Sequence, residues 1–200
     1  MDATFWNNRY SAPQYIYGEI PNVFVAEMAV QIPAGPVLCL AEGEGRNAIH
    51  LATLGHRVTA VDQSEAGLAK ARRLAIARGV EIETVRADLG NFTIEPGAWA
   101  GIIATFAHLP PSIRRQVHAQ ATRGLRLGGI FVLEAYTPAQ LAFDTGGPKS
   151  PELLMTLASL REELAGLELL VGRELERDVI EGDGHTGRGA VVQILARRNE

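Results

Sequence analysis

Short apolar runs alternate with helix-period segments through the first two thirds of the chain, and this alternation constrains the fold more than any other feature. The pattern predicts strands at 36–41, 57–62, 80–87, 99–106 and 129–136, and helices at 47–54, 64–79 and 110–124. Strands that alternate with helices form a parallel sheet with helices on both faces. The sequence therefore predicts an α/β, doubly wound, Rossmann-like sheet.

The last third of the chain has a different pattern. A Gly- and Pro-rich loop at 137–151 precedes a helix at 152–164, and strand-like stretches follow at 168–180 and 188–197. The connection at 181–187 is too short for a crossover helix, so the two stretches predict an antiparallel C-terminal hairpin at one edge of the sheet. The complete prediction is a mostly parallel sheet of about seven strands.

Composition and charge fit one globular domain over 1–200, with an N-terminal arm or lid at 1–30 and a substrate-side loop at 137–151. The 200 residues are 46% hydrophobic and 21% charged, which excludes a disordered chain. The net charge of −4, with dispersed basic residues, argues against a nucleic-acid partner.

One cysteine excludes an intrachain disulfide, and we predict no metal site. No apolar run suits a membrane span and no secretory signal is present, so we expect a cytoplasmic protein without a membrane partner. The oligomeric state stays open.

The loop after the first predicted strand carries the clearest binding signal. It contains Gly43 and Gly45 and leads into a helix, which is where a doubly wound sheet binds its ligand. Both glycines allow a tight turn and a close backbone approach. Asp62 ends the second strand twenty residues after Glu42, a spacing at which an acid reaches the hydroxyls of an adenosine ribose. Asp88 ends the third strand, where it either borders the adenine or caps a turn.

The charge of this loop bears on which nucleotide it accepts. Glu42 and Glu44 place two carboxylates where a dinucleotide site receives its pyrophosphate. Like charges separated by about 4 Å repel by about 4 kcal/mol at an effective dielectric constant of 20. S-adenosylmethionine has no phosphate and carries a sulfonium and an ammonium group, so the acidic loop favours it.

Several strings of the sequence resemble those of the class I S-adenosylmethionine-dependent methyltransferases, and most of all the small bacterial tellurite-resistance and thiopurine methyltransferases. The strings are Gly43-Glu44-Gly45-Arg46-Asn47, Val58-Thr59-Ala60-Val61-Asp62 and, near the N-terminus, Tyr17-Gly18-Glu19-Ile20-Pro21-Asn22. The resemblance covers nearly the whole chain. Two positions depart from the family pattern, because Cys39 replaces an acid and Ala41 replaces a glycine.

The resemblance implies methyl transfer from S-adenosylmethionine to a small-molecule nucleophile, with S-adenosylhomocysteine as the other product. A thiol or a chalcogen oxyanion such as tellurite or selenite is the implied acceptor. Together with the strand ends, it gives a set of candidate cofactor-binding residues. These are Arg9, Tyr17, Ala41, Glu42, Gly43, Gly45, Asn47, Asp62, Gln63, Asp88, Leu89, Thr105 and Phe106.

Three residues are candidates for the chemistry itself. His108 follows the fourth strand, where it either orients or deprotonates a substrate or caps the next helix. His185 and Arg188 lie near the hairpin turn, and the resemblance implies that basic residues there hold an oxyanion. A solvated turn is the alternative for both.

Two other functions remain compatible with these residues. An NAD-dependent oxidoreductase would also use Asp62, although Glu42, Glu44 and the missing third glycine disfavour it. A regulatory module that binds S-adenosylmethionine without catalysis would explain the departure at Cys39.

Overall fold

A seven-stranded sheet forms the centre of the computed structural model, which describes residues 2–199. The strands are β1 (Pro36–Leu40), β2 (Arg57–Asp62), β3 (Glu83–Arg86), β4 (Trp99–Thr105), β5 (Leu125–Tyr136), β6 (Glu168–Glu181) and β7 (His185–Arg197). Their order is β3-β2-β1-β4-β5-β7-β6, and β1 to β5 are parallel. β7 runs antiparallel between β5 and β6. The predicted mostly parallel sheet with an antiparallel C-terminal hairpin at its edge is confirmed.

Helices cover both faces of the sheet. They are α1 (Ala3–Arg9), α2 (Val23–Met28), α3 (Arg46–Thr53), α4 (Glu65–Arg78), α5 (Pro111–Gly124) and α6 (Leu157–Glu163). Short 3-10 helices span Ala29–Gln31, Pro138–Ala142, Pro151–Leu153 and Gly182–Gly184. Within the described residues, no helix is long and apolar enough to cross a membrane.

Two buried clusters lie on opposite faces of the sheet. Val117 of α5 and Leu160 of α6 belong to one cluster. Phe24 of α2, Leu51 of α3 and Leu68 of α4 belong to the other. Successive residues of β1 join alternate clusters, because side chains along a strand point to opposite faces. A strand buried on both faces is a continuous apolar run, which is why β1 was recognisable in the sequence.

Some element boundaries differ from the prediction. β3 begins at Glu83 rather than at residue 80, because the N–H of Val80 donates to the carbonyl of Ala75 and closes the end of α4. The helix predicted at 152–164 is divided into a 3-10 helix and α6, because the Thr156 side chain caps α6 at its own N-terminus. β5, β6 and β7 are longer than predicted, and the hairpin connection shortens to 182–184.

Candidate active site

A cavity of about 610 Å³ opens where the parallel strands β1 to β5 end. This volume is within the range of small-molecule sites, roughly 300–1,000 Å³. α1 and the loop at 146–150 form its other sides. The wall includes most of the residues that the sequence predicted: Arg9, Tyr17, Ala41, Glu42, Asn47, Asp62, Gln63, Asp88, Leu89, Thr105, Phe106, His108 and His185.

Gly43, Gly45 and Arg188 were also predicted for the site, but the structure places them outside the cavity wall. A Cβ on Gly43 would lie 2.7 Å from the Tyr10 hydroxyl, and one on Gly45 would lie 2.6 Å from the Cβ of Ala71. These glycines therefore allow close packing within the protein. Arg188 is an exposed residue of β7, and its Nε lies 3.5 Å from a Glu176 carboxylate oxygen.

Glu42 occupies the position where a dinucleotide site would hold a phosphate. Its buried carboxylate accepts the backbone N–H groups of Asn47 and Ala48, at 2.9 and 2.8 Å, at the start of α3. Burial raises the pKa of Glu42 to about 7, and the bond from Ala48 opposes that rise. These N–H groups are the ones that an anionic ligand at a helix N-terminus uses. The structure thus disfavours a pyrophosphate at this helix N-terminus by occupancy.

Glu44 does not present a free charge to the cavity, contrary to the sequence-based interpretation. Its Oε1 lies 2.7 Å from Nζ of Lys70 in a buried ion pair. Its Oε2 accepts the backbone N–H of Tyr17 at 3.3 Å. Glu44 therefore connects α4 to the N-terminal arm.

The acids at the ends of β2 and β3 border the cavity in different ways. Asp62 is buried and accepts the N–H groups of Gly43 and Ser64, both at 2.8 Å. Burial raises the pKa of Asp62, while these two bonds lower it. Asp88 is exposed and accepts the N–H of Gly90 at 2.9 Å. Asp88 is thus both a turn cap and part of the wall.

Two residues of the wall have a strained backbone. Ala41 has φ of +50° and Phe106 has φ of +51°, and no other non-glycine residue among 2–199 has a positive φ. Each directly follows a strand, β1 and β4 respectively. A left-handed conformation costs a non-glycine residue free energy and often marks a functional site. This conformation explains why the resemblance leads one to expect glycine at position 41.

Five aromatic or imidazole side chains, Tyr17, Phe106, His108, Tyr136 and His185, form a cluster in the wall that we call the ring cluster. The ring of Phe106 lies 4.4 Å from that of His185 and 4.8 Å from that of Tyr136. His185 lies 4.8 Å from Tyr17. Tyr136 was not predicted from the sequence. Its position at the end of β5 could have indicated a place in the cavity wall, as the position of Asp62 at the end of β2 did.

The two histidines of the ring cluster have different hydrogen-bonding capacity. His108 uses both ring nitrogens: Nδ1 is 2.8 Å from the Leu153 carbonyl, and Nε2 accepts the backbone N–H of Tyr136 at 3.4 Å. Burial lowers the pKa of His108 to about 4, so the ring is neutral at pH 7. His185 is buried, with Nδ1 3.2 Å from Oε2 of Glu181. Burial lowers the pKa of His185 and the bond to Glu181 raises it.

Next to the ring cluster, two buried carboxylates pair with two guanidinium groups. Arg46 NH2 lies 2.6 Å from Glu181, and Arg177 Nε lies 2.6 Å from Glu134. Arg177 also reaches Glu181 at 3.3 Å. This network was not predicted from the sequence, because its members are far apart in the chain and join only when the hairpin packs on β5.

The N-terminal arm supplies part of the wall. Arg9 Nε donates to the Tyr17 hydroxyl at 3.1 Å, and Trp6 stacks on Tyr10 with ring centroids 5.5 Å apart. Asn7 Oδ1 accepts from the Ser64 hydroxyl at 2.8 Å, which attaches α1 to the start of α4.

Comparisons with known proteins agree with this geometry. Residues 37–129 match a family model described as a methyltransferase domain. The uncharacterized methyltransferase YbaJ of Bacillus subtilis is 31% identical over 110 residues, which are 54% of this chain and 43% of that relative. The chain therefore spans less than half the length of this curated relative.

Solved structures resemble most of the chain or nearly all of it. One, described as "Conversion of a Disulfide Bond into a Thioacetal Group during Echinomycin Biosynthesis", has a TM-score of 0.78 and 21% identity, covering 99% of this chain and 90% of that one. TehB from Haemophilus influenzae has a TM-score of 0.73 and 20% identity, covering 98% and 67%. A protein from Methanosarcina mazei described as a SAM-dependent methyltransferase has a TM-score of 0.66 and 16% identity, covering 82% and 93%.

The polar groups of the cavity fit the cofactor that these proteins imply. A carboxylate, Asp62, lies at the end of β2, and the start of α3 is closed to phosphate by Glu42. Both features suit a nucleoside without a phosphate. The chain thus has the fold of the class I S-adenosylmethionine-dependent methyltransferases, residues 37–129 match a methyltransferase domain, and S-adenosylmethionine is the cofactor that the comparisons support.

Proposed function

We propose that the chain transfers a methyl group from S-adenosylmethionine to a small-molecule nucleophile. One observation carries the proposal: Glu42 holds the N–H groups at the start of α3, while Asp62 borders the same cavity. This arrangement favours an adenosine ligand over a ligand with a pyrophosphate. When bound, the cofactor supplies an activated methyl group on its sulfonium sulfur.

The wall residues divide into two groups around such a ligand. Asp62 and Asp88 suit the ribose and adenine side, with Leu89 as apolar surface. Arg9 and Glu42 suit the amino-acid side, since a guanidinium pairs with a carboxylate and a carboxylate with an ammonium. In this assignment, the arm at 1–30 and the loop at 137–151 exclude water above the reacting atoms.

The acceptor is a small molecule in this proposal. The cavity is enclosed by α1, the strand ends and the loop at 146–150, so a compact nucleophile fits beside the cofactor. Methyl transfer from a sulfonium depends mainly on alignment and on removal of a proton where the acceptor carries one. A thiol and a chalcogen oxyanion are the acceptor classes to compare.

The test is isothermal titration of the protein with S-adenosylmethionine and, separately, with NAD. We expect micromolar binding of S-adenosylmethionine, about −8 kcal/mol, and no binding of NAD. Asp62→Asn should weaken the binding at least tenfold, because an amide cannot accept two ribose hydroxyl bonds as a carboxylate does. The matched control is Asp178→Asn, an exposed residue of β6.

Binding of NAD but not of S-adenosylmethionine would reject the proposal in favour of an oxidoreductase. Tight binding of S-adenosylmethionine without methylation of any thiol or oxyanion would favour the regulatory module instead.

A further inference from the structure

We propose that the ring cluster binds a cation, and that the methyl acceptor is an aliphatic amine whose nitrogen becomes a methylated ammonium beside these rings. The inference rests on the proposed function, because the cofactor supplies the methyl group, and it gives the acceptor a class other than thiols and oxyanions. Two features of the ring cluster support an amine: the angles between its rings and the pairing of the cations around it.

The rings of the cluster meet at steep angles instead of forming one flat stack. The planes of Phe106 and Tyr136 are inclined by 39°, with centroids 4.8 Å apart. The His185 ring is inclined by 62° to Phe106 and by 88° to Tyr136. All three line the cavity, so a ligand atom in this part of it can lie close to more than one ring. Aromatic rings attract a cation within about 6 Å of the ring centroid, and several rings together bind methylated ammonium groups.

The cations of the cavity wall are paired. Among the described residues of the wall, they are Arg9, Arg46 and Lys149. Arg46 is paired with Glu181, and Lys149 with Asp144. Arg9 lies over the Tyr17 ring and is assigned to the carboxylate of the cofactor, which leaves the other rings to the acceptor. An ammonium in the ring cluster therefore meets no unpaired cation, and an oxyanion there would gain none.

The two histidines of the cluster add no positive charge at neutral pH. Burial lowers the pKa of His108 to about 4. Burial also lowers the pKa of His185, although the bond to Glu181 raises it. The resemblance implied that His185 and Arg188 hold an oxyanion, but Arg188 lies outside the cavity wall. A neutral imidazole neither repels an ammonium nor attracts an anion as an imidazolium does.

The polar atoms of the cluster that are open to a ligand can accept hydrogen bonds. The Tyr136 hydroxyl is buried without a hydrogen-bond partner among the described residues. Nδ1 of His185 lies 3.2 Å from Oε2 of Glu181, so Nδ1 carries the proton and Nε2 is an acceptor. A buried polar group without a partner costs free energy that a ligand can recover. An ammonium, whose N–H groups only donate, matches both atoms.

The movement of charge during methyl transfer separates the acceptor classes. With an amine, the positive charge leaves the sulfonium sulfur and appears on the acceptor nitrogen. With a thiolate or an oxyanion, the charges of the two reactants cancel. Only an interaction that is stronger in the transition state than in the ground state accelerates the reaction. Rings that attract a cation on the acceptor side therefore lower the barrier for an amine.

The step needs no reactant besides the amine and the cofactor. The amine enters as an ammonium, whose pKa is lowered by burial and by the neighbouring sulfonium. One N–H bond breaks, its electron pair stays on nitrogen, and the proton joins Nε2 of His185 and is later released to water. The nitrogen then forms a bond to the methyl carbon, while the C–S bond breaks and its electron pair stays on sulfur. The products are a methylated ammonium and S-adenosylhomocysteine.

A matched pair of probes separates attraction for positive charge from apolar contact. Choline and 3,3-dimethylbutan-1-ol have nearly the same shape, but only choline is charged. Each is titrated calorimetrically into the protein saturated with S-adenosylhomocysteine. We expect choline to bind at least about tenfold more tightly than the alcohol. Choline should bind more weakly when S-adenosylmethionine replaces S-adenosylhomocysteine, because the sulfonium adds a second positive charge to the cavity.

Phe106→Leu removes one ring and keeps an apolar side chain. The preference for choline over the alcohol should fall at least about threefold, whereas Phe106→Tyr, which keeps the ring, should retain it. Phe92→Leu is the matched control, because Phe92 packs against the core and lies outside the cavity wall. Each variant is judged by the ratio of two affinities, so a partial loss of folded protein does not imitate the result.

Equal affinities for choline and the alcohol, or an unchanged preference in Phe106→Leu, would overturn the inference. If S-adenosylhomocysteine binds the same preparation while choline does not, this inference alone fails. If S-adenosylhomocysteine does not bind either, the proposed function fails too.

Product analysis separates an amine acceptor from the regulatory module, because both predict tight binding of S-adenosylmethionine without methylation of a thiol or an oxyanion. Benzylamine and benzyl mercaptan, which differ only in the nucleophilic group, are incubated with the protein and S-adenosylmethionine. We expect mass spectrometry to detect the N-methylated amine and no methylated thiol. Methylation of the mercaptan alone would contradict the amine assignment.

Discussion

Glu42 is a buried carboxyl group in contact with both a helix terminus and the cavity. Because burial raises its pKa to about 7, the group is partly protonated at neutral pH. A ligand that brings an ammonium or sulfonium group favours the ionised form. We therefore expect the affinity for S-adenosylmethionine to fall as the pH decreases from 8 to 6, and binding at pH 7 to release a proton. Titration calorimetry in buffers of different ionisation enthalpy measures that release.

The control for this coupling is Glu42→Gln, which removes the titrating group but keeps its shape. In this variant, S-adenosylmethionine binding should be weaker and the proton release should disappear. Affinity that stays constant between pH 8 and pH 6 in the native protein would contradict the assignment of Glu42 to the cationic side of the ligand.

Single residues also mark the limit of what the sequence predicted. The sequence predicted that Glu42 and Asp62 lie near each other, and both line the cavity, because strand ends meet at one edge of a parallel sheet. Spacing does not give the direction of a side chain. Glu44 therefore turned out to pair with Lys70, and Gly43 to pack beneath the Tyr10 hydroxyl.

At the level of elements, the hairpin turn and the N-terminal arm pack without space between them. Gly182 has φ of +61°, and a Cβ there would lie 2.5 Å from the Gly18 backbone nitrogen and would also contact the Ile16 carbonyl. Gly182→Ala should therefore force the arm away from the hairpin. Gly79 has nearly the same φ, +67°, with no atom within 4 Å of its would-be Cβ, so Gly79→Ala is a matched control.

We expect Gly79→Ala to lose about 1 kcal/mol of unfolding free energy from the backbone alone. Gly182→Ala should lose about 1–3 kcal/mol more, because the neighbouring backbone must move. It should also weaken S-adenosylmethionine binding, since the displaced arm carries Tyr17 and Arg9. Urea denaturation and titration calorimetry measure the two effects. Equal losses in the two variants would show that the arm and the hairpin do not depend on each other.

The elements themselves were largely predictable, and their long-range contacts were not. Five strands and three helices follow from apolar runs, glycines and caps, which act locally. The 14-residue hairpin strand β6 was recognisable for the same reason. The ring cluster joins Tyr17 to His185, from opposite ends of the chain. No local pattern encodes that contact, so the sequence left two roles open for His185, a residue that holds an oxyanion or part of a solvated turn.

At the scale of the whole molecule, two buried groups give opposite pH dependences of stability. Burial holds the pKa of His108 at about 4, below its ordinary value of 6.5, so the unfolded chain binds a proton first and stability falls from pH 6.5 to 4. The pKa of Glu42 is raised from 4.5 to about 7, so the folded chain binds a proton first and stability increases from pH 7 to 4.5. The two contributions oppose each other.

Removing either group should therefore change the slope of stability against pH in opposite directions. Relative to the native protein, His108→Gln should become more stable on acidification from pH 6.5 to 4.5, and Glu42→Gln less stable. Each change is at most about 1.4 kcal/mol per pH unit. Urea unfolding at half-unit pH intervals measures these slopes. A constant loss of unfolding free energy in a variant at pH 7 does not affect the comparison. Parallel slopes in all three proteins would contradict the burial of these groups.

Below pH 4.5, all three proteins should lose stability together. Burial raises the pKa of Glu163, but hydrogen bonds from His118 and Arg114 lower that pKa to about 2. His185 and Arg46 do the same for Glu181, also to about 2. Stability that these ionised carboxylates provide is present above pH 4.5 and is lost as the pH falls through 2.

The bond between Glu42 and the start of α3 has a consequence for selectivity in a mixture of nucleotides. A phosphate that approached this helix would compete with a carboxylate attached to the same chain. Such a tethered competitor has a fixed effective concentration, which does not fall when the protein is diluted. The carboxylate therefore lowers the affinity for phosphate ligands by a constant factor, which does not depend on the nucleotide concentration.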